Sequence, residues 1–299
     1  MSSCSNKKIE YPAAPQDETV DQYFDLSVAD PYRPLENDTA AATLAWVEAE
    51  NKVTRDYLDR IPYADRIRKR LTELQDYPKY GMPSLAPDGR QYYFFNDGLK
   101  NQSVLYRTDS IGKDGEIWLD PNTLSDDGTV ALKGISFSND GKYMAYTISR
   151  SGSDWVEIYV MDTADGKLLD DHIEWAKFTD AAWCGDGFYY SAYDRPGEGK
   201  EFSNANENHR IYYHKLGTPQ SADQLAYTDP EHPLHFHSAY VPDSEDYLFV
   251  IGGGNGFGNS VMFKNIKKPG SQWQIMEPSQ DLEVNIVEVV NGDIYFTTT

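Results

Sequence analysis

A tight turn flanked by strand-forming residues recurs along most of this chain: Pro87-Asp88-Gly89, Asn139-Asp140-Gly141, Gly185-Asp186-Gly187, Asp243-Ser244-Glu245 and Asn291-Gly292-Asp293. Measured at Asp88, Asp140, Asp186, Ser244 and Asn291, the spacings are 52, 46, 58 and 47 residues. Asn-Gly and Asp-Gly pairs supply the positive φ that tight hairpins need. Each of the first four turns precedes a Tyr- or Phe-rich strand: Tyr92–Phe95, Tyr143–Ile148, Phe188–Tyr193 and Tyr247–Ile251. A second strand follows (Ser103–Arg107, Val156–Met161, Arg210–Lys215, Ser260–Asn265), then a short third (Glu116–Leu119, Leu168–Asp170, Gln224–Tyr227, Gln272–Met276). A period of roughly 50 residues with about four strands per unit is a propeller signature. Such a unit cannot bury its apolar faces alone, so units must stack around an axis. Four units and the first strand of a fifth do not close a comfortable ring, and the expectation is a truncated propeller.

Composition narrows the function classes. Hydrophobic residues make up 39% and aromatics 13%, with 22 tyrosines. That supports a real core and favours strands. The net charge of −21 repels phosphate backbones and anionic headgroups, which argues against a nucleic-acid partner. Two cysteines, Cys4 and Cys184, form neither a disulfide framework nor a CxxC zinc pair. Cys184, at a predicted turn, reads as a plain, partly buried thiol. No apolar run is long enough for a signal peptide or a membrane-spanning helix. The start, Ser2-Ser3-Cys4-Ser5-Asn6, has the form of the end of a bacterial lipoprotein signal, with Cys4 as the lipidated residue. That reading implies a cell-envelope, periplasmic location; a random tail on a cytoplasmic protein is the alternative.

The region before the repeats has a different texture. Residues 1–20 read as a flexible tail, 21–78 as a helical segment and 79–299 as propeller. A helix is predicted over 38–60, capped by Asp38. Leu44, Val47, Leu58 and Ile61 share one side, widened by Trp46, Val53 and Tyr57. Pro62 suits the first turn of a second helix that turns Ile67, Leu71 and Leu74 inward and stops before Pro78.

Several ordered runs carry a family resemblance. They include Asp30-Pro31-Tyr32-Arg33-Pro34-Leu35-Glu36, Trp46–Lys52, Thr72–Leu74 with Asp76–Tyr80, Asn96–Gln102 with Val104–Tyr106, Leu119–Leu132 and Ser149–Val156. They resemble the N-terminal portion of the prolyl oligopeptidase family, which usually has Trp where Pro34 stands. The resemblance implies a mainly β chain forming part of a seven-bladed β-propeller, preceded by a helical segment that packs on an α/β-hydrolase domain. It implies a serine endopeptidase that cleaves short peptides after proline, without metal or cofactor, the propeller capping and gating the active site.

No G-x-S-x-G elbow occurs in the sequence, and that elbow is what exposes a serine nucleophile on this fold. The resemblance puts all three triad members beyond residue 299, so no catalytic residue is assigned and the chain alone is expected to be inactive. It places Phe178, in the run Lys177–Trp183, as an aromatic wall of the substrate pocket, and Phe236 where the family often has another apolar pocket residue. Ordinary packing of the propeller is the alternative for both. Gly253 and Gly256 stand where the family often has Arg and Cys, which implies a wider, less polar pocket.

Three patterns are weighed as decoys. The run 252–258 is glycine-rich but lacks the G-x-G-x-x-G register, and reads as a flexible inter-strand loop. His232, His235 and His237 are close in sequence, as metal ligands are, but read as surface histidines. The acidic run Asp120–Asp127 lacks the full EF-hand pattern and reads as a turn. Two rivals to the peptidase reading are a lipid-anchored propeller that only docks peptides or proteins and a sister oligopeptidase of different specificity.

Overall fold

In a computed structural model describing residues 8–110, 112–197, 200, 205–254 and 256–299, aromatic and β-branched runs become strands and the two periodic segments become helices. The chain divides into two units, one ending at Asp76 and joined by described residues between Pro196 and Ala205, the other made of the rest.

The first unit opens with a hairpin of β1 (Val20–Tyr23) and β2 (Leu26–Ala29), followed by helices α1 (Ala41–Leu58) and α2 (Ala64–Gln75). Residues 8–19, expected within a flexible tail, carry hydrogen bonds to the rest of the unit at Pro12, Asp17 and Thr19. The Trp46 indole N–H donates to the Pro12 carbonyl, and the Asp17 amide to the Pro31 carbonyl. Arg33 bonds Asp30 at 2.6 Å and also pairs with Asp21, locking the Asp30–Glu36 signature to the hairpin. Asp38 does not cap α1. Asn37 Oδ1 accepts from the Thr39 amide and hydroxyl, and that turn delivers Ala40 to the cap position. Pro62 lies just outside α2, whose cap is Tyr63. Leu44, Val47 and Leu58 on α1, and Ile67, Leu71 and Leu74 on α2, are all exposed.

The second unit is all β. A first sheet combines β3 (Lys79–Tyr80) and β4 (Ser84–Leu85) with β5 (Gln91–Asn96), β6 (Val104–Thr108) and β7 (Glu116–Leu119). Next come two meanders: β8 (Val130–Phe137), β9 (Tyr143–Arg150), β10 (Trp155–Asp162) and β11 (Leu168–Lys177), then β12 (Ala182–Cys184), β13 (Gly187–Ala192), β14 (Arg210–Lys215) and β15 (Gln224–Thr228). A bridge at Ala176 and Ala192 joins them. Strands β16 (Phe236–Tyr240), β17 (Tyr247–Gly253), β18 (Ser260–Asn265) and β19 (Gln274–Glu277) form another antiparallel meander, and β20 (Val284–Val290) pairs with β21 (Asp293–Thr298). The repeat thus holds a leading strand before each turn that the periodic reading omitted: β4, β8, β12, β16 and β20.

The pleat explains why the core lies between neighbouring sheets. Successive strand residues point to opposite faces. On β9, Met144, Tyr146 and Ile148 join Tyr92, Leu105 and Leu119 of the first sheet, while Ala145 faces Trp183, Phe188 and Tyr190 of the third. Both faces of the second meander are therefore dry. The Gln102 side chain acts as a surrogate peptide between sheets: its Nε2 donates to Val130 O at 2.6 Å and its Oε1 accepts from Leu132 N at 2.9 Å. The turns also meet. A Cβ on Gly141 would fall 2.5 Å from the Asp88 amide, and Glu245 accepts from Asn139 Nδ2 and from the Gly185 amide.

A buried charged trio ties the second meander to the third. His214, fully buried on β14, bonds Asp223 through Nδ1 at 2.7 Å and Asp171 through Nε2 at 3.0 Å. The Asp223 carboxylate also accepts from the Tyr190 hydroxyl, and Asp171 from the Gly217 amide. Burial pulls the His214 pKa down, but the carboxylates of Asp223 and Asp171 outweigh it and raise it above the ordinary value. A raised folded-state pKa gives stability that is complete below the unfolded value of about 6.5 and lost as pH rises through the folded one. His214→Gln should cost about 3–5 kcal/mol, because two carboxylates lose their buried partner. Urea unfolding at pH 6 and pH 9 should show the larger cost at pH 6.

Candidate functional site

The end of β11 and the start of β16 bring together the two aromatic residues singled out by sequence. Phe178 follows β11, and Phe236 opens β16. Their ring centroids lie 6.2 Å apart, and both rings are about half exposed. Beside them is a recess of about 360 Å³ lined by Phe178–Ala182 and Ser238–Tyr240. An exposed aromatic pair at the mouth of a recess offers a flat apolar wall with polar groups close by.

The backbone aims the first ring. Phe178 has φ 53° and Trp175 has φ 58°, both in the left-handed region that bulky residues avoid. Each costs on the order of 1–3 kcal/mol and persists only where the surroundings enforce it. At Phe178 the neighbouring group is His209, 1% exposed. Its Nε2–H donates to the Lys177 carbonyl at 3.0 Å, its Nδ1 accepts from the His237 amide at 2.9 Å, and its ring stacks on Tyr193 at 4.3 Å. One imidazole thus grips the residue before Phe178 and the residue after Phe236. Lys177, itself buried, turns its ammonium toward Asn206 Oδ1 and over the faces of Trp155 and Phe178. Sequence reasoning passed over both His209 and Lys177. His209 carries no local signal, since its partners lie 32 and 28 residues away.

The second ring is aimed by a missing side chain. Gly253 pairs with Phe236 across the ladder, and a Cβ there would lie 2.2 Å from Phe236 Cζ. The ring therefore occupies the space that Gly253 leaves, where a wider opening was expected. The remaining glycines are also tightly packed, against the flexible-loop reading: Cβ atoms on Gly254, Gly256 and Gly258 would meet His235, Gln280 and Leu282 within 2.4 Å. The Gly258 amide donates to Gln280 O and the Asn259 amide to Leu282 O.

Of the histidines read as surface residues, His232 is exposed and His235 partly so, while His237 is buried, 3% exposed. His232 and His235 converge with Asp229. The acidic run at 120 is a turn, Asp120 Oδ1 accepting from the Asn122 amide. Cys184 is unbonded and half-buried; burial, with Glu245 nearby, pushes its thiol up to about 11. Cys4 lies outside the described residues. Among the described residues, no helix is long and apolar enough to cross a membrane.

A stacked, propeller-type β unit with an aromatic-walled recess defines the fold class, and comparison with known proteins narrows it. The family profile described as "Prolyl oligopeptidase, N-terminal beta-propeller domain" matches residues 12–299. A prolyl endopeptidase of Elizabethkingia meningoseptica is 39% identical over 300 residues, covering all of this chain and 42% of that protein. A prolyl endopeptidase of Elizabethkingia miricola is 43% identical over 219 residues, 73% of this chain and 31% of that one. Among solved structures, prolyl oligopeptidase B of Galerina marginata, bound to a 25mer macrocyclization substrate, superposes with a TM-score of 0.80 at 28% identity, covering 96% of this chain and 44% of that one. The chain belongs to the prolyl oligopeptidase family, as its N-terminal propeller segment. It spans less than half the length of these relatives.

Burial lowers the His209 pKa to about 4, and the bond to Lys177 only partly offsets this. A depressed histidine gives stability that is complete above about pH 6.5 and lost as pH falls toward the folded value, at most about 3 kcal/mol here. His209→Phe keeps the stack on Tyr193 but removes the titration. Its unfolding free energy should show a flatter slope between pH 6.5 and pH 4 than the parent chain, measured by urea denaturation.

Proposed function

We propose that this chain is the lid portion of a serine endopeptidase that hydrolyses short peptides after proline, and that Phe178 and Phe236 line its substrate pocket. The observation that carries this is the strained, half-exposed Phe178 ring held against Phe236 by His209. Strain maintained at a solvent-facing aromatic residue has no use to the core, whereas a substrate contact would justify it. Relatives named prolyl endopeptidase supply the reaction class.

In this reading an α/β-hydrolase domain of the same polypeptide carries the serine, histidine and acid, and the reaction runs through an acyl-enzyme without metal or cofactor. The exposed apolar sides of α1 and α2 support it, since Leu44, Val47, Ile67 and Leu71 would be covered by such a domain. The propeller caps and gates the site, admitting small, flexible peptides. In the full-length protein, Phe178→Ala should raise KM for a chromogenic prolyl peptide about 10-fold, a loss of about 1.4 kcal/mol, with kcat little changed. An unchanged KM would remove Phe178 from the pocket.

The proposal extends to location. Cys4, within Ser2-Ser3-Cys4-Ser5-Asn6, is the lipid-modified residue of an envelope-anchored, periplasmic enzyme. Intact-mass analysis of protein from the native host should find acyl chains on the Cys4 peptide; an unmodified thiol there would refute the anchor.

A further inference from the structure

We infer that Asp229, His232 and His235 form a site for a transition-metal dication of the zinc class. One donor atom from each lies within 4.8 Å of the others. A tetrahedral zinc site with bonds near 2.0–2.2 Å spaces its donors by roughly 3.3 Å, so closure needs movements of about 1 Å. His232 Nδ1 is already 3.0 Å from Asp229 Oδ2. The His232 and His235 rings are nearly parallel, 4.7 Å apart with 7° between planes.

The loop arranges these donors through its own backbone, although His232 itself is exposed. Asp229 divides its carboxylate. Oδ1 accepts from the Glu231 and His232 amides at 3.2 and 3.3 Å, which leaves Oδ2 to face the imidazoles. His235 is positioned by the absent side chain of Gly254, since a Cβ there would lie 2.4 Å from His235 Cδ2. The His235 amide also donates to the His232 carbonyl, closing the turn between the two ligands. Behind Asp229 stands His237, buried, with Nε2 3.9 Å from Asp229 Oδ2 and its Nδ1 without a hydrogen-bond partner. An orphaned buried imidazole beside a carboxylate is the kind of outer partner that metal ligands recruit.

The donor set selects the ion. Two imidazoles and one carboxylate suit Zn²⁺, Cu²⁺ or Ni²⁺, whereas Mg²⁺ and Ca²⁺ demand oxygen cages. Three protein donors leave a fourth position for water.

The test uses the tag-free chain after chelator treatment. Calorimetric titration with zinc chloride should show one saturable equivalent, and cobalt(II) should give visible absorption of a low-coordinate site. His232→Ala, on an exposed side chain, and His235→Ala should each weaken Zn²⁺ binding at least about 10-fold, the lower end of the effect of disturbing a ligand's outer partner. Gly254→Val keeps every ligand and displaces His235; with circular dichroism unchanged, it should weaken binding similarly. Magnesium chloride should give no heat. Absence of saturable zinc binding, or equal affinity in the parent and both histidine variants, overturns the site.

Discussion

The arrangement depends on one constraint: a four-stranded meander built from alternating apolar residues has two faces to dry and cannot dry either by itself. On β9, six consecutive buried residues from Met144 to Ser149 show the solution. The second meander becomes the filling between the first sheet and the third. At roughly 25 cal/mol per Å² of apolar surface, contacts among large side chains such as Tyr92, Phe188 and Phe249 dominate the stabilising side of the balance. Between the sheets, polar links fix the register that apolar packing leaves loose. Gln102 presents an amide in both senses to β8, Trp183 donates to Ser136, and the Asp171–His214–Asp223 trio pins β11 to β14. Arg107 fills the same role at the first interface: its guanidinium lies 3.6 Å over the Trp118 ring and donates to the Thr163 carbonyl.

The candidate site grows out of that framework and is not a loop laid over it. His209 is as deeply buried as the core, yet its bonds go to backbone atoms on either side of the aromatic pair. The rigidity of the sheets is passed to two half-exposed rings through a single neutral imidazole. The neighbouring histidine loop uses the same economy, with Gly253 and Gly254 making room for Phe236 and His235 in turn.

Much of this was legible in the sequence, and the gaps have physical causes. The strands following each turn announced themselves because Tyr and Phe crowd them. The leading strands β8, β12 and β16 did not, because each mixes small residues with its larger apolar ones. Gly134 lies under Asp180, Ser136 accepts from Trp183, and Ala182, Ser238 and Ala239 border the recess. The β1–β2 hairpin escaped notice because its turn uses Phe24 at φ 55° where a glycine would have advertised it. Asp38 was a sound cap by residue type, but Asn37 had already organised the turn one residue earlier. Phe178 and Phe236 were found through family likeness; His209 could be found only in three dimensions, since its meaning lies in partners remote along the chain.

The unusual backbone at Phe178 has an evolutionary corollary. An amino acid held in an unfavourable conformation and half in water contributes little to folding, so swapping it leaves the scaffold nearly as robust as before. Chemical preference at this position can therefore drift on its own. On the pocket role proposed for Phe178, exchanging this one ring would change which peptides are accepted while the interlocked sheets stay the same.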